Sequence, residues 1–270
     1  MDVVQVVQSV MLGIIQGTTE WLPISSKAMV SLAMIKFFNS NVELSEAVFY
    51  AIWLHLGTLF AVALFYKNDL AALIKNLPFY LKDVHNPRGY NKLTTFLIVS
   101  TFFTGLIGAP LAVFGLSHVR FSGTIAIVFI GVLLIVTGIL QSFAKRSVSL
   151  NKSLSIKDAV LVGIMQGFAT LPGLSRSGLT VSTLLLRRYR AKDALNLSFM
   201  MYIPAVLGAE IGLGILKGGI YFNVYSALAI VVAFVFGIFT IRILLTVAER
   251  INFSYFCILL GSLCVLAIFI

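Results

Sequence analysis

Leu171-Pro172-Gly173-Leu174-Ser175-Arg176-Ser177-Gly178-Leu179-Thr180 sits inside an apolar run covering residues 158–186. An arginine flanked by two serines and two glycines is expensive at membrane depth, so the stretch needs a reason to be there. The surrounding chain sets that depth. Of its 270 residues 59% are hydrophobic and 11% charged, far from the quarter charged that is usual in soluble domains. The formal net charge of +10 does not point to nucleic acid, because the basic residues cluster between apolar runs. That pattern is positive-inside bias together with attraction to anionic lipid heads.

Runs long enough to span cover residues 47–66, 93–115, 121–144, 195–216, 221–243 and 251–270. Two other runs are interrupted: 3–35 by Pro23, with Glu20 and Lys27 beside it, and 158–186 by Pro172, with Arg176 beside it. Each half is too short to cross a hydrocarbon core of ~30 Å, and suits a re-entrant helical hairpin. Two tight pairs of ordinary spans are the alternative, but they would turn the charged centres toward lipid. The reading is an all-α polytopic membrane protein with six transmembrane helices and two re-entrant hairpins, forming one domain over 1–270.

Charge placement supports the hairpins. Lys67, Lys75, Lys82, Arg88 and Lys92 occupy one connection; Lys145, Arg146, Lys152 and Lys157 occupy another. Arg187, Arg188, Arg190 and Lys192 follow the second broken run, and Arg242 and Arg250 end the fifth span, whereas Arg120 and Lys217 are alone in their connections. If 158–186 enters and leaves on one side, every basic-rich segment falls on the cytoplasmic face. Both termini then lie outside, and the two hairpins dip from opposite sides. The N-terminal stretch, with no basic residue before Lys27, does not read as a cleaved signal peptide. Cys257 and Cys264, two turns apart on one helix, cannot bridge each other.

An internal repeat joins the two broken runs. Gly13-Ile14-Ile15-Gln16-Gly17 returns as Gly163-Ile164-Met165-Gln166-Gly167, and Leu22-Pro23 as Leu171-Pro172. Ser25-Ser26-Lys27 is then matched by Ser175-Arg176-Ser177, and Glu46-Ala47 by Asp193-Ala194. Units of about 1–144 and 158–270, each a broken hairpin plus three spans, would be inverted relative to each other. Transporters with that plan build their sites where the broken helices meet.

The chemistry gathers at the breaks. Helices restarting after proline are capped well by serine, and their free N–H groups attract anions. Gly173 and Gly178 would let backbone approach a ligand. Arg176 offers a planar fork for phosphate, and Lys27 a point charge. Together these point to a strongly anionic ligand such as a diphosphate, although an Arg176–Glu20 pair with a purely structural role is the plainer alternative. Glu20 lies one turn from Gln16 on the same helix face, where it could ligate a divalent cation or act as base toward Ser25 or Ser26. His55 stands mid-span and is matched in the repeat by Tyr202; both are candidate auxiliary residues, and a simple hydrogen-bonding role for His55 is equally open. Glu210 is an intramembrane carboxylate placed with the same cavity. His85 and His118 carry no assigned role.

On these residues the chain resembles the undecaprenyl-diphosphate phosphatase family, also called the bacitracin-resistance protein family, over essentially its full length. Gln16-Gly17-Thr18-Thr19-Glu20-Trp21-Leu22-Pro23-Ile24-Ser25-Ser26 resembles the family's acidic motif running into Pro-x-Ser-Ser. Pro172-Gly173-Leu174-Ser175-Arg176-Ser177-Gly178 resembles its distinctive Pro-Gly-x-Ser-Arg-Ser-Gly motif. The resemblance implies removal of the terminal phosphate from a long-chain polyprenyl diphosphate, with a divalent cation (Mg or Ca), at a cell-membrane site opening outward. It further implies recycling of the lipid carrier for cell-surface glycans. Glu20 matches the second acidic residue, Ser25 and Ser26 the serine pair with Ser26 the favoured nucleophile, and Arg176 the phosphate-binding arginine. Ser25, Lys27, Gly173, Ser175, Ser177 and Gly178 would surround the substrate, and Glu20 would touch the metal.

Two departures stand out. Gln16 replaces the first acidic residue, and Lys27-Ala28-Met29 stands where the family commonly has Thr-Gly-His. Methionine cannot exchange a proton. Either the histidine is dispensable, or another group such as His55 substitutes, or activity is lost. Transport of a polyprenyl phosphate carrier across the bilayer is the rival function; an anion channel lacks a ring of basic residues. The expected partners are the polyprenyl diphosphate and the bilayer, with a homodimer as a further candidate.

Overall fold

A computed structural model of the chain describes residues 2–38, 42–82, 90–116, 123–144, 153–217, 223–250 and 253–269. His85, His118, Arg88, Arg120, Lys145, Arg146 and Lys152 lie outside the described residues. Every regular element among those described is helical. The order is α1 (Val3–Thr19), α2 (Ser26–Leu32, continued by a π-wound stretch Ala33–Phe37), α3 (Leu44–Phe65) and α4 (Lys67–Lys82). Then come α5 (Tyr90–Pro110, continued by a π-wound Leu111–Leu116), α6 (Gly123–Ala144), α7 (Ile156–Phe168) and α8 (Arg176–Leu186). The chain closes with α9 (Ala191–Lys217), α10 (Val224–Arg250) and α11 (Ser254–Leu266, ending in a 3-10 turn Ala267–Phe269).

Among the described residues, five helices are long and apolar enough to cross a membrane: Leu44–Phe65, Asn91–Gly115, Gly123–Ala144, Ala191–Ile215 and Val224–Ile243. At ~1.5 Å per residue each reaches or exceeds the ~30 Å of a hydrocarbon core. The chain is a multi-pass membrane protein. The sixth expected span is shorter than its apolar run, because α11 starts at Ser254 and tightens into a 3-10 turn at Ala267. The basic connection 67–92 also holds a helix that charge counting hides. In α4, Leu70 and Leu73 pack beside Leu93 and Leu97, while Ile74, Phe79 and Leu81 are exposed.

Helices meet at glycines. A Cβ added to Gly13 would lie 2.6 Å from Ala229 O, and one on Gly17 2.7 Å from Ala233 O, so α1 lies backbone to backbone with α10. In the second half Gly163 and Gly167 of α7 face Ser100, Thr104 and Ile107 of α5 in the same way. Gly131 and Gly138 of α6 face Gly261 and Ser254 of α11. Hydrocarbon gives no hydrophobic reward for helix association, so close van der Waals packing at small residues supplies it.

The second broken run does return to the face it left. Ser155 caps α7 by accepting from Asp158 N, and Asp158 is fully buried. Arg187, just past the end of α8, places Nε 2.5 Å from Asp158 Oδ1, and Tyr189 donates to Asp158 Oδ2 at 3.0 Å. The beginning and end of the hairpin are therefore tied together. Burial and the hydrogen bond to Asp158 push the Tyr189 phenol above its ordinary range.

Gly13→Val should cost about 1–3 kcal/mol, the usual penalty of overpacking. It would be read as a lower unfolding midpoint of the detergent-solubilised protein. Gly105→Ala, which has nothing within 4 Å of the new methyl, should stay within about 0.5 kcal/mol of the parent.

Candidate active site

α1 ends where Glu20 caps it, and Gln16 Nε2 donates to Glu20 Oε2 at 2.9 Å, one turn back on the same face. Trp21 then turns into the bundle, fully buried, and donates to Gly237 O at 3.1 Å. Beyond Pro23, Ser25 adopts φ 63°, a left-handed conformation that costs a residue with a side chain of order 1–3 kcal/mol. Its Oγ accepts from Ala28 N at 3.4 Å and from Gly173 N at 3.3 Å, which ties the strained residue to the opposite turn. In that second turn Ser175 caps α8 by accepting from Gly178 N at 3.1 Å. Ser26 and Arg176 thus each open a helix directly after a capping serine. The two hairpins present different groups from the same position.

Those groups meet on one carboxylate. Glu20 Oε2 accepts from Ser26 Oγ at 2.5 Å and lies 3.1 Å from His55 Nε2, while Oε1 accepts from Arg176 Nη2 at 2.8 Å. His55 Nδ1 lies 2.6 Å from Ala51 O, which can only accept, so Nδ1 carries a hydrogen. Arg176 is held further: Nη1 donates to Ser198 O at 3.2 Å, and its guanidinium carbon lies 4.2 Å from the Tyr202 ring centre and 5.5 Å from that of Phe199. Tyr202 is itself anchored through its hydroxyl, 2.7 Å from Thr58 Oγ1. Lys27 donates to Ala169 O in the opposite turn, and Ser177 donates to Leu22 O at 3.0 Å, so each turn is closed by a side chain of the other.

A small cavity opens here, lined by Glu20, Ser25, Ser26, Lys27, His55, Ser175, Arg176 and Ser177 with Leu22 and Leu174. Two basic side chains against one carboxylate leave it suited to an anion. Gln16 and Tyr202 stand behind this lining, against Glu20 and Arg176. Gly173 and Gly178 do not line the cavity. Gly173 has φ 104° and abuts α6, where a Cβ would lie 2.6 Å from Ile130 O; a Cβ on Gly178 would lie 2.9 Å from Gln141 Nε2. Their smallness serves packing on α6. Glu210 is also absent from the lining, and neither of its buried carboxylate oxygens has a partner among the described residues. Thr58, Thr137, Gln141 and Ser198 were missed by motif reading. Their one sequence signal is that they are polar residues inside apolar spans.

For a divalent cation the site offers Glu20 and, beside it, Gln16 Oε1, a buried oxygen with no partner among the described residues. No group of three His, Cys, Asp or Glu side chains capable of holding an ion occurs among the described residues. Both oxygens of Glu20 already accept hydrogen bonds, so an ion there would have to take most of its ligands from phosphate oxygens, as Mg²⁺ commonly does.

The model of the family described as bacitracin resistance protein BacA matches residues 9–265. The chain belongs to this family. It is 46% identical over 263 residues to an undecaprenyl-diphosphatase of Methanococcoides burtonii, covering 97% of this chain and 98% of that one. An undecaprenyl-diphosphatase of Methanothrix thermoacetophila is 37% identical over 95% of this chain and 94% of its own. One from Methanopyrus kandleri is 36% identical over 96% and 94%, respectively. The two quoted motifs supply most of the cavity lining, with Lys27 and His55 added from outside them.

Glu20→Ala should destabilise the protein by about 3–5 kcal/mol, because it strands Arg176 as a buried charge. The Glu20→Ala/Arg176→Ala double variant should lose less than the sum of the single losses. Thermal unfolding of the purified proteins checks both.

Proposed function

We propose that the protein is an undecaprenyl-diphosphatase, hydrolysing the terminal phosphate of a long-chain polyprenyl diphosphate to release the monophosphate carrier and inorganic phosphate. The observation that carries this reading is the 2.5 Å contact of Ser26 Oγ with Glu20, on the same carboxylate that Arg176 grips. A hydroxyl already bonded to a base, beside a guanidinium fork and a lysine, is the arrangement that phosphoryl transfer to serine requires.

Arg176 and Lys27 hold the diphosphate, and the backbone N–H groups at the start of α8 add to the anion site. Ser26 Oγ passes its proton to Glu20 and bonds to the terminal phosphorus, whose bond to the bridging oxygen breaks and frees the lipid monophosphate. Water then displaces the serine at phosphorus, Ser26 Oγ recovers a proton through Glu20, and inorganic phosphate leaves. His55, with Nε2 3.1 Å from Glu20 Oε2, backs the carboxylate in place of the histidine that Met29 removes. A divalent cation held by Glu20 and Gln16 Oε1 would, when bound, disperse charge on the phosphates.

The rival reading, transport of a polyprenyl phosphate, is not favoured: the relatives carry a phosphatase name, and transport has no use for the Ser26–Glu20 contact. The inverted repeat is part of the proposal. It is supported by the way α1 lies on α10 as α7 lies on α5, each through paired glycines. The orientation completes it, with the cavity reached from the outer side and the basic connections cytoplasmic.

Release of phosphate from undecaprenyl diphosphate by the purified protein tests the reading. Ser26→Ala and Glu20→Gln should each lower kcat by roughly 10²–10⁴-fold. Arg176→Ala should cost on the order of 10²–10³-fold in kcat/KM, with Arg176→Lys giving little recovery because an ammonium cannot lie flat on Tyr202. No release by the parent with any divalent ion would overturn the enzyme reading. A chelator should abolish release and added Mg²⁺ or Ca²⁺ restore it; an unchanged rate in chelator would remove the ion from the mechanism.

A further inference from the structure

We infer that α6 is the element that sets the reacting geometry, with Thr137 and Gln141 as positioning residues, one for each broken turn. The inference rests on the phosphatase reading. Neither residue touches the cavity, and neither belongs to either motif.

Thr137 serves the second turn. Its hydroxyl donates to Gly173 O at 3.0 Å and accepts from Ser175 N at 3.2 Å, bracketing the residue that caps the helix opened by Arg176. Gln141 serves the first. Its Nε2 donates to Pro23 O at 2.5 Å, three residues before Ser26, and lies 3.8 Å from Cys257 Sγ. The Cys257 thiol contacts the same carbonyl at 3.4 Å. Residues four apart share one helix face, so a single rigid stripe reads both turns.

The physical argument is one of necessity. A chain that breaks its helix inside a bilayer leaves backbone groups without partners, each costing several kcal/mol unless protein supplies one. Here α6 supplies a partner to each of Pro23 O, Gly173 O and Ser175 N, with Cys257 of α11 sharing the first. Thr137 is fully buried and Gln141 nearly so, so neither bond competes with water. Glycines close the remaining gaps: a Cβ on Gly178 would meet Thr137 Cγ2 at 3.0 Å and Gln141 Nε2 at 2.9 Å. On its other side α6 is seated against α11 through Gly131 and Gly138. A one-turn separation on this helix thereby fixes how far the start of α2 stands from the start of α8, and so how Ser26 and Arg176 share Glu20.

The two residues should fail differently. Thr137→Val keeps the volume and removes both hydrogen bonds, so it should displace Arg176 and raise KM for undecaprenyl diphosphate by tenfold or more with a smaller change in kcat. Thr137→Ser keeps the hydroxyl and should return KM to within threefold of the parent. Gln141→Met should lower kcat by tenfold or more while KM stays within threefold, because it loosens the Ser26 side. If Thr137→Val is not recovered folded, Thr137→Cys, with its weak donor, replaces it under the same expectation.

Parent kinetic constants in both α6 variants would overturn the inference, as would a Thr137→Ser protein no better than Thr137→Val. Equilibrium binding of undecaprenyl diphosphate is measured on the same proteins. If the parent binds but releases no phosphate, the phosphatase reading fails by itself; the α6 inference then stands or falls on whether Thr137→Val weakens binding tenfold and Thr137→Ser restores it.

Discussion

Everything in this molecule answers to the carboxylate of Glu20, a charge held at membrane depth by Arg176, His55, Ser26 and Gln16. An ion pair with so little water around it is not a gain in stability, since desolvating both partners costs about as much as their attraction returns. Leucine in both places would be cheaper. The pair is retained with a serine hydroxyl 2.5 Å from the same oxygen that faces His55. The surroundings are what low dielectric demands: each charged group meets hydrogen-bonding partners or an aromatic face, and the Tyr202 ring covers the guanidinium.

The two hairpins contribute unequally. Both end a helix at a Leu-Pro pair and restart it after a capping serine, but one opens with Ser26 and the other with Arg176. One backbone plan presents a hydroxyl from one half and a guanidinium from the other. The contacts that join the halves run both ways, from Lys27 to Ala169 and from Ser177 to Leu22. Neither turn is complete without its counterpart.

Much of this was legible in the sequence, and the reasons it was or was not are physical. Pro23 and Pro172 interrupt apolar runs that would otherwise span, and a charge beside each break has to face protein. Those local signals were enough to find Glu20, Ser26 and Arg176 and to infer that they meet. The packing of Gly173 and Gly178 on α6 could not be read, because a glycine that admits a ligand and one that admits a helix look alike in sequence. Thr137 and Gln141 were invisible for a related reason: their partners are 36 and 118 residues away, and single polar residues leave no periodicity. α4 was hidden by its lysines, which dominate a charge count but occupy only one side of an amphipathic helix.

The spacing of the Glu20–Arg176 pair along the chain has a consequence for biogenesis. The two residues are 156 apart in sequence, so at ~5–20 residues per second the ribosome makes the arginine on the order of ten seconds after the glutamate. Gln16, Ser26 and His55, all made within the first 55 residues, are the only members of the final set that can shelter the carboxylate meanwhile. The first half of the protein therefore reaches the bilayer with three partners for the carboxylate in its own sequence, and the late-arriving arginine adds the opposite charge to them.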